Sequence, residues 1–371
     1  AAHGLLTQDD FMAPATKPLW GKRGRGDMQI IRDLGANVVR TYGNNPEEDH
    51  GPFLDEALRM GLRVIPGVSN YPYIQMPGNC METNFDCYSQ IKEFYSKNLR
   101  NGFLLKNLRR PQDESDDDDD DDDDNDDGAF YYHPALAHMI VINEPDRILP
   151  NISQPYNFSR GVISAVDGML DAEKELGVSG KLINFTATLT FNYCPACTQH
   201  PELGGSPGIR QTLELQHAFL HPEQYGYAPR NDLAEFYRTR FLNSFNTQSA
   251  AWAVHNEYLP YYNALLPETP FYIEEYHVAD LDATWNQTAS QQKDIADAMM
   301  LLETAPLLLG LNFFEYQKSV LKTDPFELQF GMFTQGNYSI ATAEMFGMQV
   351  NVWCLVNADW RGVHMPALVS A

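Results

Sequence analysis

The chain has 371 residues, 43% of them hydrophobic, which is enough for one large domain or two ordinary ones. Its formal net charge of −24 is dominated by a single segment, Asp113 to Asp127, whose thirteen acidic residues leave the rest near −11. A nucleic-acid partner would need a basic surface, and no window approaches the roughly 18 apolar residues of a membrane-spanning helix, so a globular chain with no nucleic acid and no membrane span is expected.

Along the chain, helical and extended patterns alternate. "GLLTQDDFM", Gly4 to Met12, is the only candidate for a first strand. "GDMQIIRDLGA" then has helical spacing of Met28, Ile31 and Leu34 and a C-terminal stop at Gly35. "NVVRTYG" reads as a strand, "GPFLDEALRMGL" as an amphipathic helix stopped by Gly61, and "RVIPGVS" as the next strand. "QIKEFYSKNLRNGF" is helical. The run Met139 to Ile142 in "MIVINEPDR" is apolar and mostly β-branched, as suits a strand buried on both faces. Further strands are expected in "KLINFTATL", "RFLNSFN", "PFYIEEYH" and "LLGLNFFEY". Helical segments separate them, among them "GVISAVDGMLDAEKELG", "QSAAWAVHNEYLPYYNALL" and "SQQKDIADAMMLLETA".

Repeated strand–helix units imply a parallel sheet. The expected class is α/β, a single-domain (β/α)8 TIM barrel over residues 1–335, with an open doubly wound sheet as the rival. Residues 112–128 read as a disordered acidic low-complexity insertion, because mutual repulsion prevents packing. Residues 336–371, with strand-like alternation in "MQVNVWCLVNADWRGVHMPALVSA", are expected to form a C-terminal extension that packs on the barrel.

Five cysteines and five N-x-S/T sequons, at Asn151, Asn157, Asn184, Asn286 and Asn337, favour the secretory route and an extracellular or cell-wall location. The opening "AAHG" reads as a processed chain or a fragment. Bridges Cys80–Cys87 and Cys194–Cys197 are expected, leaving Cys354 as the odd thiol. "CPACTQH" has metal-like spacing but no second pair, and no metal or other cofactor is expected.

In a parallel barrel, reactive groups gather at the carboxyl ends of strands. Those ends carry Arg40 and Tyr42, then Asn143 and Glu144, then Glu274, Glu275, Tyr276 and His277, and finally Glu315 and Tyr316. Paired carboxylates are the minimal equipment for cleaving a glycosidic bond, one protonated and one ionised. The alternative for each glutamate is an ion pair with Arg40, Arg147 or a lysine, but the glutamates recur at one place in the strand–helix unit.

Asn143-Glu144-Pro145 after a buried strand resembles the acid/base motif of the retaining (β/α)8 glycoside hydrolases of clan A, and "FYIEEYH" is similar to their nucleophile-bearing strand end. "GANVVRTYGNNPEEDHGPFLDEALRMGLRVIPGVS", "LNFFEYQKS" and "FELQFGMFT" resemble regions of families 17 and 72, which act on β-1,3-glucans. The resemblance spans roughly Trp20 to Thr334. It implies Glu144 as acid/base and Glu275 as nucleophile, with Glu274 as the alternative, since neighbours on a strand face opposite ways. It further implies that Arg40 holds the nucleophile ionised and Asn143 contacts a sugar 2-hydroxyl, with Tyr42, Tyr71, Tyr73, Tyr276, Glu315 and Tyr316 also at the substrate. The function implied is a retaining β-glycoside hydrolase or transglycosylase on a poly- or oligosaccharide, a β-glucan. The alternative is a catalytically silent barrel that serves as a structural or glycan-binding protein.

Overall fold

The structure, a computed structural model, describes residues 10–106, 129–149, 153–204, 206–277, 287–318, 330–357, 359–360 and 363–364. The acidic segment 112–128, the sequon asparagines Asn151 and Asn286, and most of Gly4 to Met12 lie outside them.

Seven strands run parallel in chain order: β1 (Val38–Arg40), β2 (Arg63–Ile65), β3 (His138–Asn143), β4 (Asn184–Thr190), β5 (Phe241–Thr247), β6 (Phe271–Tyr276) and β7 (Leu308–Phe313). β1 pairs with β2, and β3 through β7 form one continuous sheet. The two pieces join where Ile140 N–H donates to Pro66 O at 2.9 Å and Val68 N–H donates to Ile140 O at 3.0 Å. β7 returns beside β1. The eightfold closure expected from the sequence is not made among the described residues, because β1 and β7 share no ladder there and six of the nine residues of the first-strand candidate lie outside them.

Helices coat the outside of this sheet. α1 (Asp27–Asp33) buries Met28 and Ile31 and ends at Gly35, whose φ of 90° is open to glycine at no steric cost. α2 (Gly51–Arg59) buries Phe53, Leu54 and Ala57, and Trp20 meets Phe53 edge-on at 5.3 Å. Burying a phenylalanine side chain of this kind stabilises by about 1.5–3 kcal/mol. α3 (Tyr88–Asn98) crosses α4 (Pro155–Glu175) closely enough that a Cβ at Gly168 would lie 2.4 Å from the Tyr88 carbonyl oxygen. Any side chain there would push the helices apart.

Inside the strands the core is narrow and partly polar. Ile65, Ile140 and Tyr272 form the apolar layer, and His138, Glu274 and Asn312 lie buried beside it. Ile273 faces the other way, into the helix-side cluster. After β7 the chain forms an antiparallel hairpin, β8 (Phe333–Met345) with β9 (Met348–Asn357), which begins three residues before the expected boundary at 336. Arg25 ties it down: its guanidinium pairs with Asp27 at 2.7 Å, donates to Gln317 at 2.8 Å and reaches the Trp353 carbonyl at 3.4 Å. Both expected disulfides are present and Cys354 is a buried free thiol, so Cys194 and Cys197 are committed to each other and not to a metal.

Candidate active site

Glu144 immediately follows β3 and adopts a left-handed backbone, φ 53° and ψ 54°, which costs a non-glycine residue about 1–2 kcal/mol. Its amide donates to Thr188 O at 2.7 Å, and Pro145 then starts the short helix Pro145–Ile148. This turn aims the carboxylate inward, where Oε1 accepts from Asn246 Nδ2 at 3.1 Å. Oε2 accepts from Arg147 at 3.0 Å, but that arginine side chain is 73% exposed and the pair contributes little.

Glu275 arrives from the other side of the cleft. Strict alternation along β6 would send it outward with Ile273. Pairing with β5 slips, however, from Phe245↔Ile273 to Asn246↔Glu275, a bulge that turns both Glu274 and Glu275 inward. Both side chains turn inward, but only Glu275 lines the cleft, as expected of one of the two. Glu274 is fully buried below the cleft, accepting from His138 Nε2 at 2.6 Å and Asn312 Nδ2 at 2.8 Å. Glu275 sits at the mouth, accepting from the Tyr42 hydroxyl at 2.6 Å with Arg40 Nη1 at 3.1 Å.

Arg40 organises the centre. It donates to Glu274 O at 2.6 Å and to Asn143 Oδ1 at 2.8 Å, and its Nε lies 4.0 Å from the Glu274 carboxylate. Burial alone would lower the guanidinium's pKa, but Tyr42, Glu275, Glu274 and Glu144 surround it and raise it. Tyr42 is 41% exposed in the cleft, with its hydroxyl turned to Glu275. Desolvation holds that hydroxyl well above its usual pKa, and Glu275 adds to the effect against Arg40, so it remains a donor. Asn246 bridges the two halves, donating to Asn143 Oδ1 as well as to Glu144, both at 3.1 Å.

Two adjoining clefts meet here. One, of about 460 Å³, is lined by Arg40, Tyr42, Asn44, Asn70, Tyr71 and Asn143 among others. The other, of about 340 Å³, holds Glu144, Glu275, Asn246, Gln248, His277 and Phe314. Arg40, Tyr42, Tyr71, Asn143, Glu144 and Glu275 are thus brought together. Glu315 is half-buried next to Phe314.

Three expected substrate contacts are placed elsewhere. Tyr73 is fully buried with its hydroxyl on Val141 O at 2.6 Å, Tyr276 points outward to Asp294 at 2.6 Å, and Tyr316 packs on Phe333 and donates to Asp27 at 3.2 Å. Each hydroxyl is taken up by a segment distant in sequence. Asn246 and His277 also line the cleft; His277 is one of the strand-end groups named from the sequence, without a role, and Asn246 is not among them. The only sequence signal for Asn246 is an asparagine near a strand end, which "RFLNSFN" offers at two positions.

Two buried groups beside the cleft respond to pH in opposite senses. Burial pushes the Asp146 carboxyl up to about 7, against hydrogen bonds from Thr190 and with help from Glu144. Burial pulls His277 down to about 4, although its Nδ1–H donates to Phe314 O. Unfolded histidine gains a proton near pH 6.5, so the His277 contribution to stability is present above roughly that pH and lost as pH falls through its folded value. Unfolded aspartate loses its proton near pH 4, so the Asp146 contribution is present below roughly that pH and lost as pH rises through its folded value. The slopes oppose between about pH 4 and 6.5. Relative to wild type, Asp146→Asn is expected to make the urea midpoint rise more steeply with pH across this window, and His277→Gln to make it fall. Unchanged slopes in both variants would show that these groups do not set the pH response.

No protein-family model matches the chain, and no curated protein sequence matches it. Solved structures do. A β-glucosidase from Thermotoga maritima in complex with galacto-hydroximolactam superposes with a TM-score of 0.53 at 11% identity, over 87% of this chain and 82% of that one. The AHE enzyme from Alicyclobacillus herbarius gives 0.51 at 14% identity, over 86% and 82%. ScGas2 in complex with compound 6 gives 0.54 at 12% identity, over 91% of this chain but 58% of that one. At these identities the likeness is one of fold alone, a parallel α/β arrangement shared with solved structures that include a β-glucosidase.

Proposed function

We propose that the chain is a retaining β-glycoside hydrolase or transglycosylase acting on β-glucan, with Glu275 as nucleophile and Glu144 as acid/base. The observation that carries this reading is one cleft shared by both glutamates, with Glu275 held by Tyr42 at 2.6 Å and Arg40 at 3.1 Å. A cation and a neutral donor on one carboxylate favour its ionised form, as a nucleophile requires. Glu144 lines the same cleft and accepts there from the Asn246 amide at 3.1 Å and from an exposed arginine at 3.0 Å, the position the acid/base role requires.

In the first step the Glu275 carboxylate attacks the anomeric carbon. The bond to the glycosidic oxygen breaks as Glu144 protonates that oxygen, leaving a glycosyl ester. In the second step Glu144, now ionised, takes a proton from water or from an acceptor sugar hydroxyl. The resulting oxygen attacks the same carbon and releases Glu275, so two inversions retain the β configuration. Asn143 Oδ1 already accepts from Arg40 and Asn246, so its amide nitrogen is the donor left for a sugar hydroxyl. The two adjoining clefts suit a chain of sugars better than a single ring. Preference for β-1,3 linkages rests on the resemblance to families 17 and 72. Two disulfides support a secreted, oxidised setting.

The test is incubation with a defined β-1,3-gluco-oligosaccharide, following product lengths and the initial anomer by proton NMR. Shorter products released as the β anomer, or products longer than the substrate, are expected. Products released first as the α anomer would overturn the mechanism, and no turnover of any β-linked glucan would overturn the reading.

A further inference from the structure

Outside the groups that would touch substrate, the most unusual side chain near the site is Asp146. It is fully buried, and among the described contacts no lysine or arginine pairs with it. Its carboxylate instead accepts the Thr190 backbone amide at 3.1 Å on each oxygen and the Thr190 hydroxyl at 2.6 Å. Thr190 is the last residue of β4. A buried acid with no cation is costly, and it stands two residues after a second local cost, the left-handed backbone of Glu144. Coinciding costs on one turn point to a constraint imposed by function.

The geometry shows what the constraint does. Glu144 docks on β4 through its own amide, 2.7 Å from Thr188 O, and Asp146 docks on the same strand two residues further on, at Thr190. Pro145 between them has a fixed φ. With both flanking points pinned to one strand, the turn is held in the conformation that directs the Glu144 carboxylate to Asn246 and into the cleft. The same stretch of β4 is braced from behind by Gln211, which donates to Thr190 O at 3.0 Å.

Building on the proposed glycosidase reading, we infer that Asp146 is a positioning residue for the acid/base: its clamp on Thr190 sets the orientation of Glu144. It touches no substrate. Its loss weakens acid assistance to the leaving group and leaves the nucleophile intact.

That division gives a measurable signature. A 2,4-dinitrophenyl β-laminaribioside has a leaving group that departs without a proton, whereas phenyl β-laminaribioside needs one. Loss of a general acid costs on the order of 10²–10⁴-fold. Asp146→Ala is expected to lower kcat/KM on the phenyl substrate by on the order of 10²-fold. The glycosylation rate on the dinitrophenyl substrate, read from the pre-steady-state burst, is expected to change by less than about fivefold, since that step requires little acid assistance. Asp146→Asn keeps one oxygen for the Thr190 amide and offers an amide donor to its hydroxyl, so it is expected to restore most of the phenyl activity. Equal losses on the two substrates, or no loss, would overturn the inference. Glu144→Gln, run alongside, separates the two claims. If that variant also lacks leaving-group dependence, the assignment of Glu144 fails. If it shows the dependence and Asp146→Ala does not, only the positioning role fails.

Discussion

Glu275→Gln is expected to abolish turnover, lowering kcat by on the order of 10⁴-fold or more, as removal of an enzyme nucleophile generally does. The fold is expected to survive, because the replacement is isosteric and its amide oxygen still accepts from Tyr42, which lies 2.6 Å from Oε1. The side chain is only 18% exposed, but it lies at the cleft mouth and not in the packed interior. A stronger form of the test uses Glu275→Ala with azide. If Glu275 is the nucleophile, azide enters the space it vacates and attacks once, giving an α-glycosyl azide. In Glu144→Ala, by contrast, azide attacks the glycosyl ester and gives the β-azide. Glu274→Ala with azide tests the competing assignment. Glu274 bonds to His138 and Asn312 beneath the cleft, so its replacement is expected to act on stability and to give no azide product. An α-azide from a Glu274 variant, with a functional Glu275→Gln, would transfer the role to Glu274.

The contrast between these neighbours shows where sequence reading reaches its limit. The Asn143-Glu144-Pro145 turn was legible because a β-branched apolar run followed by proline marks both the strand and its end. The choice between Glu274 and Glu275 was not, because alternation along one strand assigns opposite faces and the bulge is a property of the β5–β6 pair. Asn246 was hidden for a similar reason. Asn243 lies in the same strand and bonds to Tyr237 and Tyr262, and only the register Thr190↔Asn246 brings the later asparagine to the rim. Tyr73, Tyr276 and Tyr316 were misplaced because a tyrosine near a strand end does not disclose which distant segment takes its hydroxyl.

Replacement of Arg40 is expected to cost more in stability than any other change at the site. The guanidinium is 4% exposed and lies between two carboxylates, 3.1 Å from Glu275 and 4.0 Å from the buried Glu274. Removing one partner of a buried ionic group typically costs about 3–5 kcal/mol, because the other is left as an uncompensated charge. Arg40→Met should therefore shift the urea midpoint strongly downward. It should also lower kcat and move the acidic limb of the pH–rate profile to higher pH, since Glu275 would lose the cation that favours its ionised form. Arg40→Lys keeps the charge but not the fork that reaches Glu274 O at 2.6 Å and Asn143 at 2.8 Å, so partial recovery of stability with little recovery of kcat is expected. The double variant Arg40→Met with Glu274→Gln separates the two roles. With the buried carboxylate neutralised, the midpoint should recover well beyond the sum of the single effects, a coupling of about 0.5–3 kcal/mol. Activity should not recover, because Glu275 still lacks its cation. Strictly additive midpoints would mean that Arg40 serves Glu275 alone and that His138 and Asn312 suffice to keep Glu274 in the interior.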